Sequence, residues 1–304
     1  MRLGFLTAPF PETPLMEVAD WAVDSGFEVL EIACWPRASG PTRRYAGTSH
    51  IDVADLSVDR ATEIRDEIAA KGLTISALGY YPNTLHPDPA HREAVIGHLR
   101  QVMTAAEKMG IGLVNTFMGG DGSKSTDENW EVALEVWPDI VRFAQDQGVK
   151  ITIENCPMIF SRDEWPGGHN IAWSPYIWRR IIEEWGDTIG LNYDPSHLVW
   201  LMIDQERFVG EFGPHILHFQ AKDVEIDRDG LYERGSMSSG IGWQVPRLPG
   251  LGEAPWGRIF AALWKVGYAG DCIIEHEDRK FEATDELIKR GFLIARDVLR
   301  PFVK

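Results

Sequence analysis

The 304-residue chain is short of positive charge: 30 Lys and Arg stand against 46 Asp and Glu, a formal net charge of −16 with histidine neutral. Nucleic acid needs a basic face to meet its phosphates, and an anionic membrane surface needs a run of Lys or Arg, so neither is an expected partner. Cysteine is scarce as well. Cys34, Cys156 and Cys272 cannot all pair and no Cys-x-x-Cys spacing occurs, so a reducing, cytoplasmic compartment is the simplest expectation. The opening segment MRLGFLTAPF has one Arg and a short apolar run broken by Pro, unlike a secretory signal. No run of about 18 apolar residues is present that would span a bilayer. Gly-rich phosphate-binding turns, a GxSxG elbow, internal repeats and low-complexity linkers are all missing.

What is there is a globular composition, 44% hydrophobic and 25% charged, in a chain long enough to bury roughly 75% of its unfolded surface. Eight short β-favouring runs recur: Arg2–Thr7, Val29–Cys34, Leu73–Leu78, Gly112–Phe117, Val149–Asn155, Ile189–Asp194, Ile216–Asp223 and Cys272–Glu277. Helical patterns separate them at Pro14–Asp24, Val58–Ala70 (behind Ser57), Ala90–Lys108, Glu128–Gln147, Pro175–Trp185 (behind Ser174), Asp204–Phe212, Trp256–Val266 and Ala283–Leu299. This alternation predicts one α/β domain over residues 1–304, a (βα)8 TIM barrel. An open doubly wound sheet would carry a Gly-rich turn after its first strand, where this chain reads TAPFPETP. Long loops at 157–173 and 224–255 leave the C-terminal ends of the fifth and seventh strands, the face on which such barrels carry their chemistry.

Side chains alternate along a strand, and the face toward the helices must be apolar. Ile151, Ile153, Leu191, Tyr193, Phe219, Ala221 and Ile274 fall on that face, so Glu154, Asp194, Gln220 and Glu275 point into the upper barrel from four successive strands. Three carboxylates converging there repel one another unless a hard divalent cation, Mg²⁺ or Mn²⁺, lies among them. Parity also turns Glu31 inward on the second strand as a buttress, and His218 inward one layer deeper. Weaker substrate-contact candidates are Asn115, His169 and Arg247, the last for a substrate oxygen or anionic group. Trp35, Trp165, Trp173, Trp200 and Trp243, out of twelve tryptophans, lie in or near loops of the same face, where aromatic rings stack on sugar C–H faces or planar aglycones.

The stretches ITIEN with Glu154, NYDPSHL with Asp194 and His197, HFQAKD with Lys222 and Asp223, PGLGEAPW at 249–256 and CIIEHED with Glu275 resemble, in order and over essentially the whole chain, the sugar phosphate isomerase/epimerase superfamily of xylose isomerase-like TIM barrels. The resemblance implies a divalent metal, usually manganese with magnesium or cobalt as alternatives, held by Glu154, Asp194 and Glu275. The superfamily's fourth ligand, a histidine two residues before the Lys, is Gln220 here, whose amide carbonyl is a weaker donor to a hard cation. It further implies Glu154 and Glu275 as the proton-transferring pair, His197 as a residue beside the ligands or against substrate, and Lys222 either neutralising an oxyanion or pairing near Asp223. The expected activity is isomerisation or epimerisation of a neutral sugar or keto-sugar through an enediolate. The alternative is a lyase on 3-keto glycosides, as in C-glycoside deglycosidases, with a small partner subunit. Further copies of the chain are the other expected partner. A repair activity like that of endonuclease IV is opposed by the −16 charge, and a metal-free scaffold is the remaining class.

Overall fold

The protein is described from a computed structural model, which covers residues 1–37, 47–158, 169–236 and 242–303. Strands β1 (Leu3–Leu6), β2 (Val29–Ala33), β3 (Thr74–Gly79), β4 (Leu113–Thr116), β5 (Lys150–Glu154), β6 (Ile189–Tyr193), β7 (Ile216–Ala221) and β10 (Cys272–Ile274) close into a parallel barrel in the order β1-β10-β7-β6-β5-β4-β3-β2. Helices α1 (Leu15–Asp24), α2 (Val58–Ala70), α3 (Pro89–Met109), α4 (Thr126–Asp146), α5 (Pro175–Trp185), α7 (Gln205–Phe212), α9 (Trp256–Lys265) and α10 (Asp285–Leu299) alternate with the strands. A short helix, α6 (Pro195–Trp200), leaves β6 directly.

The two faces of the strands part as alternation requires. Ile151, Ile153, Leu191, Tyr193, Phe219 and Ala221 are fully buried in the core shared with the helices. Thr152, Glu154, Asn192, His218 and Gln220 are equally buried, on the inner face. Leu6, Ala8, Val29, Ala33 and Ile273 form a separate small apolar cluster on the side of β1, β2 and β10. One side of the lumen is therefore oily and the other polar. Trp137 and Trp178 are fully buried, and at 150–250 Å² per aromatic side chain each contributes roughly 4–6 kcal/mol of apolar burial. Much of the tryptophan content is structural.

Helix ends follow local chemistry. Ser57 Oγ accepts from Arg60 N at 3.2 Å to open α2, which stops before Gly72 with φ +82°. Ser125 and Glu128 form a reciprocal capping box at α4. The loop after β7 departs from the expected long, structureless insertion. It holds an antiparallel ribbon, β8 (Asp223–Ile226) with β9 (Gln244–Arg247), and helix α8 (Arg228–Arg234). Asp223 organises it: its carboxylate accepts from Val224 N at 2.8 Å, Ala254 N at 2.8 Å, Gly250 N at 3.0 Å and the Trp256 indole at 2.9 Å.

Candidate metal and proton-transfer site

The strand ends deliver Glu154 from β5, Asp194 just past β6 and Glu275 just past β10, and one oxygen from each lies within 4.8 Å of the other two. Asp194 serves two purposes. One oxygen accepts from Ser196 N at 2.8 Å and caps α6, while the other faces His197 Nε2 and Lys222 Nζ, both at 3.0 Å. His197 Nε2 also lies 3.2 Å from Glu154, and its Nδ1 accepts from the Trp200 indole at 3.3 Å. Lys222 sits among the acids, 2.9 Å from Glu275, 3.0 Å from Asp194, 3.2 Å from Glu277 and 3.8 Å from Glu154.

The electrostatics follow from burial and this crowding. Burial disfavours the Lys222 ammonium, yet Asp194, Glu275 and Glu277 outweigh it and hold the proton well above the ordinary lysine range. Burial opposes ionisation of Asp194, but Lys222 and His197 keep its carboxyl below the usual range. Glu275 goes the other way: burial and the charges of Glu154, Glu277 and Asp194 raise it well above a normal carboxylate against the pull of Lys222. Burial presses the pKa of His197 down and Cys156 and Asp194 lift it further; with Nδ1 accepting from the Trp200 indole, the proton it holds is the Nε2–H that faces Asp194 and Glu154. Burial pushes the Cys156 thiol up to about 11.

Beneath this layer runs a hydrogen-bonded network. Tyr81 donates to Glu31, and Gln220 Nε2 donates to Glu31 at 2.9 Å and to Tyr81 Oη at 2.8 Å. Burial lifts Glu31 to about 7, with the bonds from Tyr81, Asn115 and Gln220 pulling back. His218 donates from Nδ1 to Asn192 at 2.9 Å and accepts from Ser76 at Nε2 at 3.2 Å; burial brings it down to about 4, a neutral ring. Gln220 Oε1 is buried and takes no hydrogen bond. An unpartnered buried carbonyl on β7, the strand between those that lead to Asp194 and Glu275, fits a divalent cation with oxygen ligands.

Above the network opens a cavity of about 250 Å³. Glu154, His197, Lys222 and Glu275 are among its polar lining, and Leu6, Trp35, Phe117, Met158 and Trp200 are among its apolar lining. Residues 19–298 match the family described as xylose isomerase-like TIM barrel. The chain belongs to that family. Within it, the chain is 25% identical over 315 residues to the uncharacterised protein YfiH of Bacillus subtilis (strain 168), covering 91% of this chain and 93% of the relative. The solved structure of IolI with a bound zinc atom matches at TM-score 0.72 and 17% identity, covering 100% of this chain and 98% of that one. D-psicose 3-epimerase in the presence of D-fructose matches at TM-score 0.70 and 17% identity, covering 100% and 99%. At such identities the likeness to the two solved structures is one of fold.

In this xylose isomerase-like barrel, several residues expected at the substrate stand elsewhere. Asn115 lies beneath the cavity and spends its amide on Thr152 and His218, so it contributes no lining. His169 packs against Gly120 near Asp121 and does not reach the cavity. Of the four rim tryptophans among the described residues, Trp35 and Trp200 line it. Trp243 is buried behind Trp200, ring centroids 6.0 Å apart at 82°, Trp173 is absent from the wall, and Trp165 falls outside the described residues. Lys222 pairs with the acid cluster, while the Asp223 carboxylate is taken up by the loop. Arg247 does line the cavity but is paired, 3.4 Å from Asp278 and 3.5 Å from Glu225. Tyr81 and Cys156 were not anticipated as lining residues, while Glu277, on the inward face with Glu275, does line the cavity. Parity had a signal for Cys156, which lies two residues beyond Glu154. Among the described residues all three cysteines are free and buried, and no helix is long and apolar enough to cross a membrane.

Proposed function

We propose that the protein is a divalent-metal-dependent sugar isomerase or epimerase that moves a proton next to the carbonyl of a neutral sugar or keto-sugar. The observation that carries this reading is the pairing of Glu154 and Glu275 around Lys222 in the lining of one cavity, with Asp194 alongside. Glu154, Asp194, Gln220 and Glu275 would hold the cation, Mn²⁺ by preference. When bound, such an ion supplies Lewis-acid stabilisation of the oxyanion that forms as the C–H proton leaves.

The chain's own groups do the rest. One of Glu154 and Glu275 takes the proton from carbon and the other returns one, a division of labour that needs one carboxylate and one carboxylic acid. Lys222 and His197, both holding protons, face the oxygen end of the substrate as donors. Trp35 and Trp200 offer apolar faces to the C–H side of a ring. Compartment and oligomeric state remain at the expectations of a reducing cytoplasm and a homo-oligomer.

The test is incubation of Mn²⁺-loaded protein with free ketoses in D₂O. Deuterium should enter the carbon next to the carbonyl as epimer or aldose forms, and Glu154→Gln and Glu275→Gln should each lower turnover by about 10²-fold or more. The apolar wall favours one other outcome, elimination of an aglycone from a 3-keto glycoside by the same base and cation. Aglycone release with no ketose interconversion would replace the isomerase reading by that lyase.

A further inference from the structure

We infer that Glu31 and Tyr81 lock the Gln220 carboxamide in one orientation, giving this chain an all-oxygen ligand set that shifts its metal preference toward Mn²⁺ or Mg²⁺ and away from Zn²⁺. The inference rests on the reading above that Glu154, Asp194 and Glu275 hold a divalent cation. It begins from donor counting. Tyr81 has a single proton and gives it to Glu31, so its oxygen can only accept, from Gln220 Nε2 at 2.8 Å and from Asn192 Nδ2 at 3.3 Å. Glu31 takes the other Gln220 N–H at 2.9 Å. Both amide protons are thereby used, and turning the amide over would set its carbonyl against an oxygen of Glu31.

The carbonyl oxygen is what remains. It is buried and unpartnered, on a side chain with no exposed surface, from the same strand face that carries Lys222 among the acids. The lock reaches across the barrel from β2 and β3 to β7, and the chain makes room for it. A Cβ at Gly79 would come within 2.6 Å of the Glu31 carboxylate, so only glycine there leaves Glu31 in place. Carbonyl and carboxylate donors suit hard cations, whereas imidazole suits zinc, so oxygen at this position lowers the Zn²⁺-to-Mn²⁺ affinity ratio relative to a histidine.

The experiment uses full-length protein stripped with a chelator, then titrated with Mn²⁺ and with Zn²⁺ against a metallochromic competitor. Tyr81→Phe should weaken Mn²⁺ binding by about 10-fold or more without loss of fold, as outer-shell changes do. Gln220→His should raise the Zn²⁺-to-Mn²⁺ ratio by about 10-fold. Pulsed EPR of the wild-type Mn²⁺ complex, which needs no variant, should show no directly coordinated imidazole nitrogen. A coordinated nitrogen in that spectrum, or affinities unmoved by both substitutions, overturns the inference. If Mn²⁺ binding is abolished by Asp194→Asn yet indifferent to Gln220, only the lock fails. If wild-type protein binds neither ion, the metal reading itself fails with it.

Discussion

Lys222 stands where the acid cluster most needs positive charge, within 4 Å of Asp194, Glu275, Glu277 and Glu154. Removing one partner from a buried ionic group leaves the others uncompensated, at a cost of about 3–5 kcal/mol. Lys222→Met is therefore expected to lose about that much stability in chelator, measured by urea unfolding, and to regain more on adding Mn²⁺ than the wild type does. Equal stability of the two proteins in chelator would show that the ammonium is not balancing the cluster. At this scale the sequence was partly legible. Alternation put Glu154, Asp194, Gln220 and Glu275 on the inner face because a strand has only two faces. It could not give depth along the barrel, which is why Asn115, also inward, proved to lie beneath the cavity. Nor could it give rotamer, which is what folds the long Lys222 stem back among the acids.

The elements were legible where their own residues encode them. Ser57 and Gly72 marked the limits of α2 because a hydroxyl cap and a left-handed glycine are local chemistry, whereas Ser174 and Gly186 flank α5 without a side-chain cap bond or a left-handed turn. The ribbon β8–β9 was hidden: Asp223–Ile226 alternates but is only four residues long, β9 contains Pro246, and the Asp223 carboxylate ties β8 to Gly250 and Ala254, far along the chain. The segment after β2 is tied down in a similar way. His50 Nδ1 accepts from Thr7 Oγ1 at 2.9 Å and Nε2 donates to Phe10 O at 3.1 Å, joining that segment to the end of β1. Burial lowers the pKa of His50, with the carbonyls of Thr13 and Phe10 opposing. A depressed folded value means the unfolded chain takes up the proton first, so the contribution is complete above the unfolded value of about 6.5 and is lost as pH falls below it. The melting temperature should fall on the acid side of about 6.5, less steeply in His50→Gln than in the wild type. Parallel profiles for the two proteins would remove His50 from the acid limb.

Over the whole molecule the excess of acid has two parts that respond differently to cations. Most of the −16 is spread over exposed side chains, where divalent and monovalent ions alike screen weakly and without saturation. Glu154 and Asp194 are instead buried and Glu275 partly so, their oxygens within 4.8 Å of one another, and an ion bound there stabilises only the folded state. At free Mn²⁺ 100-fold above the dissociation constant, that linkage adds about 2.7 kcal/mol. With an unfolding entropy of about 2.1 cal/mol/K per residue, a chain of 304 residues should melt about 4 °C higher. The rise should saturate with Mn²⁺, be absent with NaCl at matched ionic strength, and reverse with a chelator. Asp194→Asn should abolish the saturating part and leave any weak linear part, because the surface charge is almost unchanged. A linear, unsaturating response in the wild type would assign the effect to surface screening and leave the buried acids to Lys222 alone.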